Sequence, residues 1–237
     1  ALLNDDTLKC WGKNEFGQIG NNATADQDVP IAVLGLAKVN KIGLGDWSGC
    51  FLLSDSSVVC WGNNDYDQLG EKTHNRHTIP NSVVGSPGAQ LIDTGARHTC
   101  TIMIGGSLNC WGDNNSGQQG DGGNISSGQS YPVPGLNNVT GVATGNEHTC
   151  ALLQNNSVFC WGNNSSGQLG NGSTNNQASP VQVQNLNNAK SIAANGNFTC
   201  ALLLDSTVKC WGKNNFGQLG DGTNTAHSSP ASVSGLS

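Results

Sequence analysis

The sequence predicts an all-β fold, a β-propeller of four-stranded blades built from 50-residue repeats, on three observations. The triplet Cys-Trp-Gly recurs at Cys10, Cys60, Cys110, Cys160 and Cys210, a strict 50-residue interval with no insertion. Within each interval, short apolar runs are broken by Gly, Asn and Asp at a spacing that fits four strands. No segment carries a helical apolar period, and only 11% of the residues are charged, whereas exposed helix faces usually carry Lys and Glu.

One repeat, taken in order, gives the elements. A first strand around Ile192 enters a turn at Asn195-Gly196. A second strand covers residues 199–204, Asp205-Ser206 makes the turn, and a third covers residues 207–211. Two apolar runs flanking a short polar turn are the signature of a β-hairpin. A Gly-rich loop follows over residues 212–225, and a fourth short strand is expected after Pro230, through Val233 to Gly235-Leu236. Apolar columns keep the same register: Leu2, Leu52, Ile102, Leu152 and Leu202 form one, and Val33, Val83, Val133, Val183 and Val233 another. The whole of 1–237 reads as one repeat domain with units 1–50, 51–100, 101–150, 151–200 and an incomplete 201–237. A stacked β-solenoid is the alternative architecture, but its repeats are usually shorter and less hairpin-like.

Nine cysteines fall in two columns ten residues apart across the expected hairpin. Opposed residues of antiparallel strands come close enough for a cross-strand bridge. The pairing Cys50–Cys60, Cys100–Cys110, Cys150–Cys160 and Cys200–Cys210 follows, and Cys10 is left unpaired because its mate would precede Ala1. A zinc site is the rival, with His98 or His148 beside the thiols. Its usual Cys-x-x-Cys spacing is missing, and the matching column holds Ser48 and Phe198. Paired cysteines place the protein outside the cell, secreted or on its surface. Free buried thiols in a cytosolic propeller are the alternative.

The segments Gly145-Asn-Glu-His-Thr-Cys-Ala-Leu-Leu153 and Cys210-Trp-Gly-Lys-Asn-Asn-Phe-Gly-Gln-Leu-Gly220 resemble the regulator of chromosome condensation repeat, and the resemblance spans essentially the whole chain. It implies a propeller of four-stranded blades. Departures are Asp67 in place of Gly, Gln119 in place of Leu and Asn195 in place of Gly. Family propellers have about seven blades, more than this chain supplies, and the chain starts at Ala1 rather than Met. It therefore reads as part of a larger propeller or tandem array in preference to a closed five-bladed ring. Family members include protein-binding propellers, among them a secreted bacterial inhibitor of β-lactamase.

Sequence motifs for chemistry are missing. There is no phosphate-binding Gly-Lys-Ser/Thr loop, no G-x-G-x-x-G, no H-E-x-x-H and no G-x-S-x-G elbow. No catalytic residue, metal site or cofactor is expected. A net charge of −6 without a basic run argues against nucleic acid, and no apolar stretch is long enough for a membrane span. The five Trp that follow the cysteines are expected to pack between blades. Trp47 is different, because its counterparts are Arg97, Glu147 and Asn197; with the variable Phe16, Tyr66 and Phe216 it is a candidate contact residue. Asn-x-Ser/Thr sequons begin at Asn22, Asn114, Asn124, Asn138, Asn155, Asn163, Asn164, Asn171 and Asn197 and are candidate glycosylation sites. The expected function is a non-catalytic extracellular scaffold that binds a protein partner or assembles with copies of itself. The alternative, which the resemblance implies, is guanine-nucleotide exchange on a small GTPase.

Overall fold

The computed structural model describes residues 1–4, 7–36, 38–83 and 85–236. Among them are eighteen β-strands and no helix. Strands β1 (Lys9–Gly12) and β2 (Gln27–Ala32) form a two-stranded sheet. Four four-stranded antiparallel sheets follow in chain order. The first contains β3 (Val39–Leu44), β4 (Ser48–Leu53), β5 (Val58–Gly62) and β6 (His77–Ser82); the second β7 (Ala89–Thr94), β8 (His98–Met103), β9 (Leu108–Gly112) and β10 (Ser127–Pro132). The third contains β11 (Val139–Thr144), β12 (His148–Leu153), β13 (Val158–Gly162) and β14 (Gln177–Gln182); the fourth β15 (Ala189–Asn195), β16 (Phe198–Leu203), β17 (Val208–Gly212) and β18 (His227–Ser232). Each sheet is a meander of sequential neighbours, the architecture of a propeller blade.

The second and third strands of each blade form the hairpin that carries the cysteines. Cys150 faces Cys160, and Cys200 faces Cys210, in the ladders β12–β13 and β16–β17. Disulfides join Cys50–Cys60, Cys100–Cys110, Cys150–Cys160 and Cys200–Cys210 across Cα separations of 4.0–4.2 Å. Such a separation belongs to the close, non-hydrogen-bonded type of antiparallel pair. Cys10 is a free thiol, half-buried, and burial raises its pKa.

The fourth strand differs from expectation at both ends. β18 starts at His227, three residues before Pro230, and stops at Ser232. A proline lacks an N–H, but on an outer strand that loss costs no ladder bond. The pairing shifts between Cys210 and Gly212, where Gly212 takes φ +103°, a conformation that favours glycine. This bulge lets Gly212 face His227 while Cys210 still faces Ala231.

The chain forms two compact units, residues 1–104, 109–113 and 126–131 in one, and residues 105–108, 114–125 and 132–237 in the other. In the first unit, Cys50, Leu52, Val58, Leu69, Ile92 and Trp111 share one core and Leu8, Val39, Phe51 and Trp61 another. In the second, Leu152, Val158, Leu169, Val183, Leu203 and Trp211 pack together around the Cys150–Cys160 pair.

Trp61, Trp111, Trp161 and Trp211 are fully buried. Each indole N–H donates to a main-chain carbonyl 43 residues earlier, that of Gln18, Gln68, Gln118 or Gln168, at 2.9–3.1 Å. The ring of each also lies against a glycine of the same loop. A Cβ on Gly120 would stand 2.6 Å from the Trp161 indole nitrogen, and one on Gly170 would stand 2.7 Å from that of Trp211. Trp11 departs from the expected packing: it is 53% exposed.

Candidate functional site

The loop after each Cys-Trp-Gly is built around a buried asparagine. Asn164 accepts from the Leu169 N–H at 3.0 Å, and its amide nitrogen donates to Asn171 Oδ1 and to the carbonyls of Ser173 and Asn175 at 3.0–3.2 Å. Asn14 and Asn214 make the same contacts in their own loops. Gln168 adds a second brace, with Oε1 accepting from the Ser166 N–H at 2.8 Å and Nε2 donating to Asn163 at 2.9 Å. A loop held from inside at both Asn and Gln presents one side chain at a fixed place on its tip. That tip residue is Phe16, Tyr66, Ser116, Ser166 or Phe216.

Within each unit, the turn before the second strand of the next blade supplies the other half of a row, at Trp47 and Arg97 in the first unit and at Glu147 and Asn197 in the second. Its carbonyl is fixed by the following blade hairpin: Asn63 N donates to Trp47 O at 2.9 Å, Asp113 N to Arg97 O at 2.9 Å, Asn163 N to Glu147 O at 2.8 Å and Lys213 N to Asn197 O at 2.8 Å. Gly62, Gly112, Gly162 and Gly212 admit this approach, since a Cβ on Gly112 would stand 2.6 Å from Arg97 O.

Residues that vary among the repeats therefore meet one another. The Phe16 and Trp47 rings contact edge to face at 5.4 Å. Lys13 Nζ lies over Trp47 at 4.6 Å, and the Arg76 guanidinium lies over Phe16 at 5.1 Å. One repeat on, Arg97 lies over Tyr66 at 4.6 Å and donates to its hydroxyl at 3.1 Å. In the second unit the same two positions hold Ser116 and Glu147, with the hydroxyl donating to the carboxylate at 3.3 Å and Asn163 Nδ2 donating to it at 3.1 Å.

Of the four expected contact residues, Phe16 and Trp47 touch directly and Tyr66 stands at the equivalent place one repeat on. Phe216 belongs to the second unit and is 87% exposed. Lys13, Arg76 and Arg97 were not singled out by sequence reasoning, although Arg97 lies in the same column as Trp47. Arg76 has no such column signal.

Two of the candidate glycosylation sites are corrected by the geometry. Asn114 and Asn164 are fully buried and their amide nitrogens donate inside the loop, so a glycan cannot be attached there in the folded chain. Asn22, Asn124, Asn138 and Asn155 are exposed, whereas Asn163, Asn171 and Asn197 are partly covered. Among the described residues no three His, Cys, Asp or Glu side chains converge as metal ligands. Among the described residues no helix is long and apolar enough to cross a membrane.

The profile of the RCC1-like domain matches residues 1–237. Among curated proteins none matches the sequence. Among solved structures, yeast RCC1 (Prp20), crystallised with Kap60 bound, is similar at 20% identity and a TM-score of 0.84, over 96% of this chain and 57% of that one. Human WBSCR16 is similar at 21% identity and a TM-score of 0.83, over 94% and 61%. The CRINKLY WD40 ectodomain of the Arabidopsis thaliana receptor kinase ACR4 is similar at 25% identity and a TM-score of 0.50, over 74% and 56%. The chain thus spans less than two thirds of the length of each of these proteins.

Proposed function

The chain belongs to the RCC1-like domain family along its whole length, and from that premise we propose that it is a non-catalytic binding scaffold whose partner is a protein met by the loop-tip row of a single unit. One observation carries this reading. The positions that differ among repeats, 16 with 47, 66 with 97 and 116 with 147, are in contact pairwise on loops whose invariant Asn, Gln and Gly are spent on holding them in place. A rigid frame with variable tips is how scaffold proteins separate stability from recognition. Tyr, Trp and Arg, which stand in three of those positions, are the residue types that dominate binding energy at protein interfaces. No feature of the row favours guanine-nucleotide exchange over plain binding.

Four cross-strand disulfides support a place outside the cytosol, secreted or at the cell surface. In that setting the exposed sequons at Asn22, Asn124, Asn138 and Asn155 become usable where the host glycosylates.

Site-directed photocrosslinking tests the proposal. A benzophenone side chain replacing Tyr66 or Ser116, on the row, is compared with one replacing Ser232, at the end of an outer strand. On cells or culture medium of the source, the row positions are expected to give an adduct of one discrete mass and Ser232 none. Absence of a discrete adduct at every row position overturns the reading.

A further inference from the structure

We infer that the row in the first unit takes an acidic protein segment, with Arg76 and Arg97 as the carboxylate-binding groups and Phe16, Trp47 and Tyr66 as the platform that orients them; this rests on the scaffold reading above. The chain carries a net charge of −6 and has only two arginines, and both stand over aromatic rings of this row. Among the described residues neither arginine forms an ion pair. Arg76 spends one N–H on the Glu15 carbonyl at 3.4 Å, and Arg97 spends one on the Tyr66 hydroxyl. A guanidinium has five N–H donors in a planar fork, so both arginines keep donors for a bidentate carboxylate. Contact with a ring also restricts each guanidinium, which lowers the ordering cost of binding.

The same geometry discriminates against other ligands. Sugar rings and methylated ammonium groups need an open aromatic face. Here Lys13, Arg76 and Arg97 already lie over Trp47, Phe16 and Tyr66, so such ligands meet a cation first. Long polyanions need many phosphate contacts, and the row offers two arginines plus Lys13, whose charge is shared with Glu15 at 2.8 Å. A short run of Asp or Glu fits this number of charges.

The test measures fluorescence anisotropy of a fluorescein-labelled decaglutamate peptide titrated with the full chain at low salt. A decalysine peptide and a decathymidylate strand serve as the comparisons. The expected result is saturable binding of decaglutamate, at least tenfold tighter than of the other two, and lost by at least tenfold in Arg76→Glu/Arg97→Glu. Lys209→Glu, a strand position in the second unit, leaves binding unchanged. The inference is overturned by decathymidylate binding as tightly as decaglutamate, by no decaglutamate binding, or by reversal variants that bind as the parent does with an unchanged circular dichroism spectrum. Crosslinking at Ser116 in the presence of any of those outcomes leaves the scaffold reading standing, so the two fail separately.

Discussion

At the scale of single residues, the same sequence column can serve burial in one repeat and something else in the next. The column Ser48, His98, His148 and Phe198 lies at or beside the start of the second strand of each blade. His148 is fully buried, with Nε2 bonded to the Thr199 hydroxyl at 2.8 Å and Nδ1 without a partner. Burial lowers its pKa to about 4. The folded chain therefore holds a neutral imidazole that the unfolded chain protonates near pH 6.5. Between those values the unfolded state binds more protons, so stability is full above about pH 6.5 and falls as the pH drops towards 4. Phe198 shows that an aromatic hydrocarbon fits this column. His148→Phe is expected to flatten the acid side of the stability curve by about 2 kcal/mol at pH 5 relative to pH 7.5. Urea unfolding of both proteins at the two pH values reads it, and parallel curves would show that His148 does not titrate between the states.

At the scale of the element, the hairpin is closed three times over. Asn155 Oδ1 accepts from the Ser157 N–H and hydroxyl at 3.1 and 2.6 Å and so shapes the turn. The ladder sets Cys150 opposite Cys160, and the disulfide locks that pair. The turn and the ladder act in the folded state, whereas the disulfide restricts the unfolded chain. For a loop this short the chain-entropy contribution is about 2–3 kcal/mol. Cys150→Ser/Cys160→Ser is expected to lose about that much in chemical denaturation, and a loss under about 0.5 kcal/mol would mean the unfolded hairpin is already closed without the bridge.

This redundancy also explains what the sequence could disclose. The disulfide pairing is legible because the two cysteine columns stand symmetrically about a short polar turn centred on Asp55, Asn155 or Asp205, and register fixes which residues face each other. The fourth strand was misplaced because Pro230 reads as a boundary, whereas on an outer strand it is merely a residue without a donor. The buried asparagines looked like turn residues and like sequons, since nothing in a short polar loop reveals that Asn114 or Asn164 points inward. Trp47 and Phe16 could be picked out as breaks in the repeat. Arg76 could not, because its ring contact joins a loop of one repeat to the loop tip of another.

At the scale of the whole molecule, stability in a repeat array is approximately a sum of unit terms and nearest-neighbour terms. Within each unit the neighbour term has a recurring physical form: an indole N–H on a Gln carbonyl, with the ring against a glycine. Gly120 and Gly122 separate this term from ordinary backbone strain. Both take positive φ, +76° and +87°, so alanine is disfavoured at either place by about 1 kcal/mol. A Cβ on Gly122 would come no nearer than 3.5 Å to the Ser179 hydroxyl, whereas one on Gly120 would stand 2.6 Å from the Trp161 indole nitrogen. The extra cost of Gly120→Ala is the cost of pushing the indole off the Gln118 carbonyl, about 1–3 kcal/mol for an overpacked core. Denaturant unfolding of the two variants is expected to differ by that amount, with indole fluorescence of Gly120→Ala shifted to the red as Trp161 gains water. Equal losses in the two variants would mean that the blades hold together without the indole contact, and the loop tips would then lack the rigid neighbour on which their pairing depends.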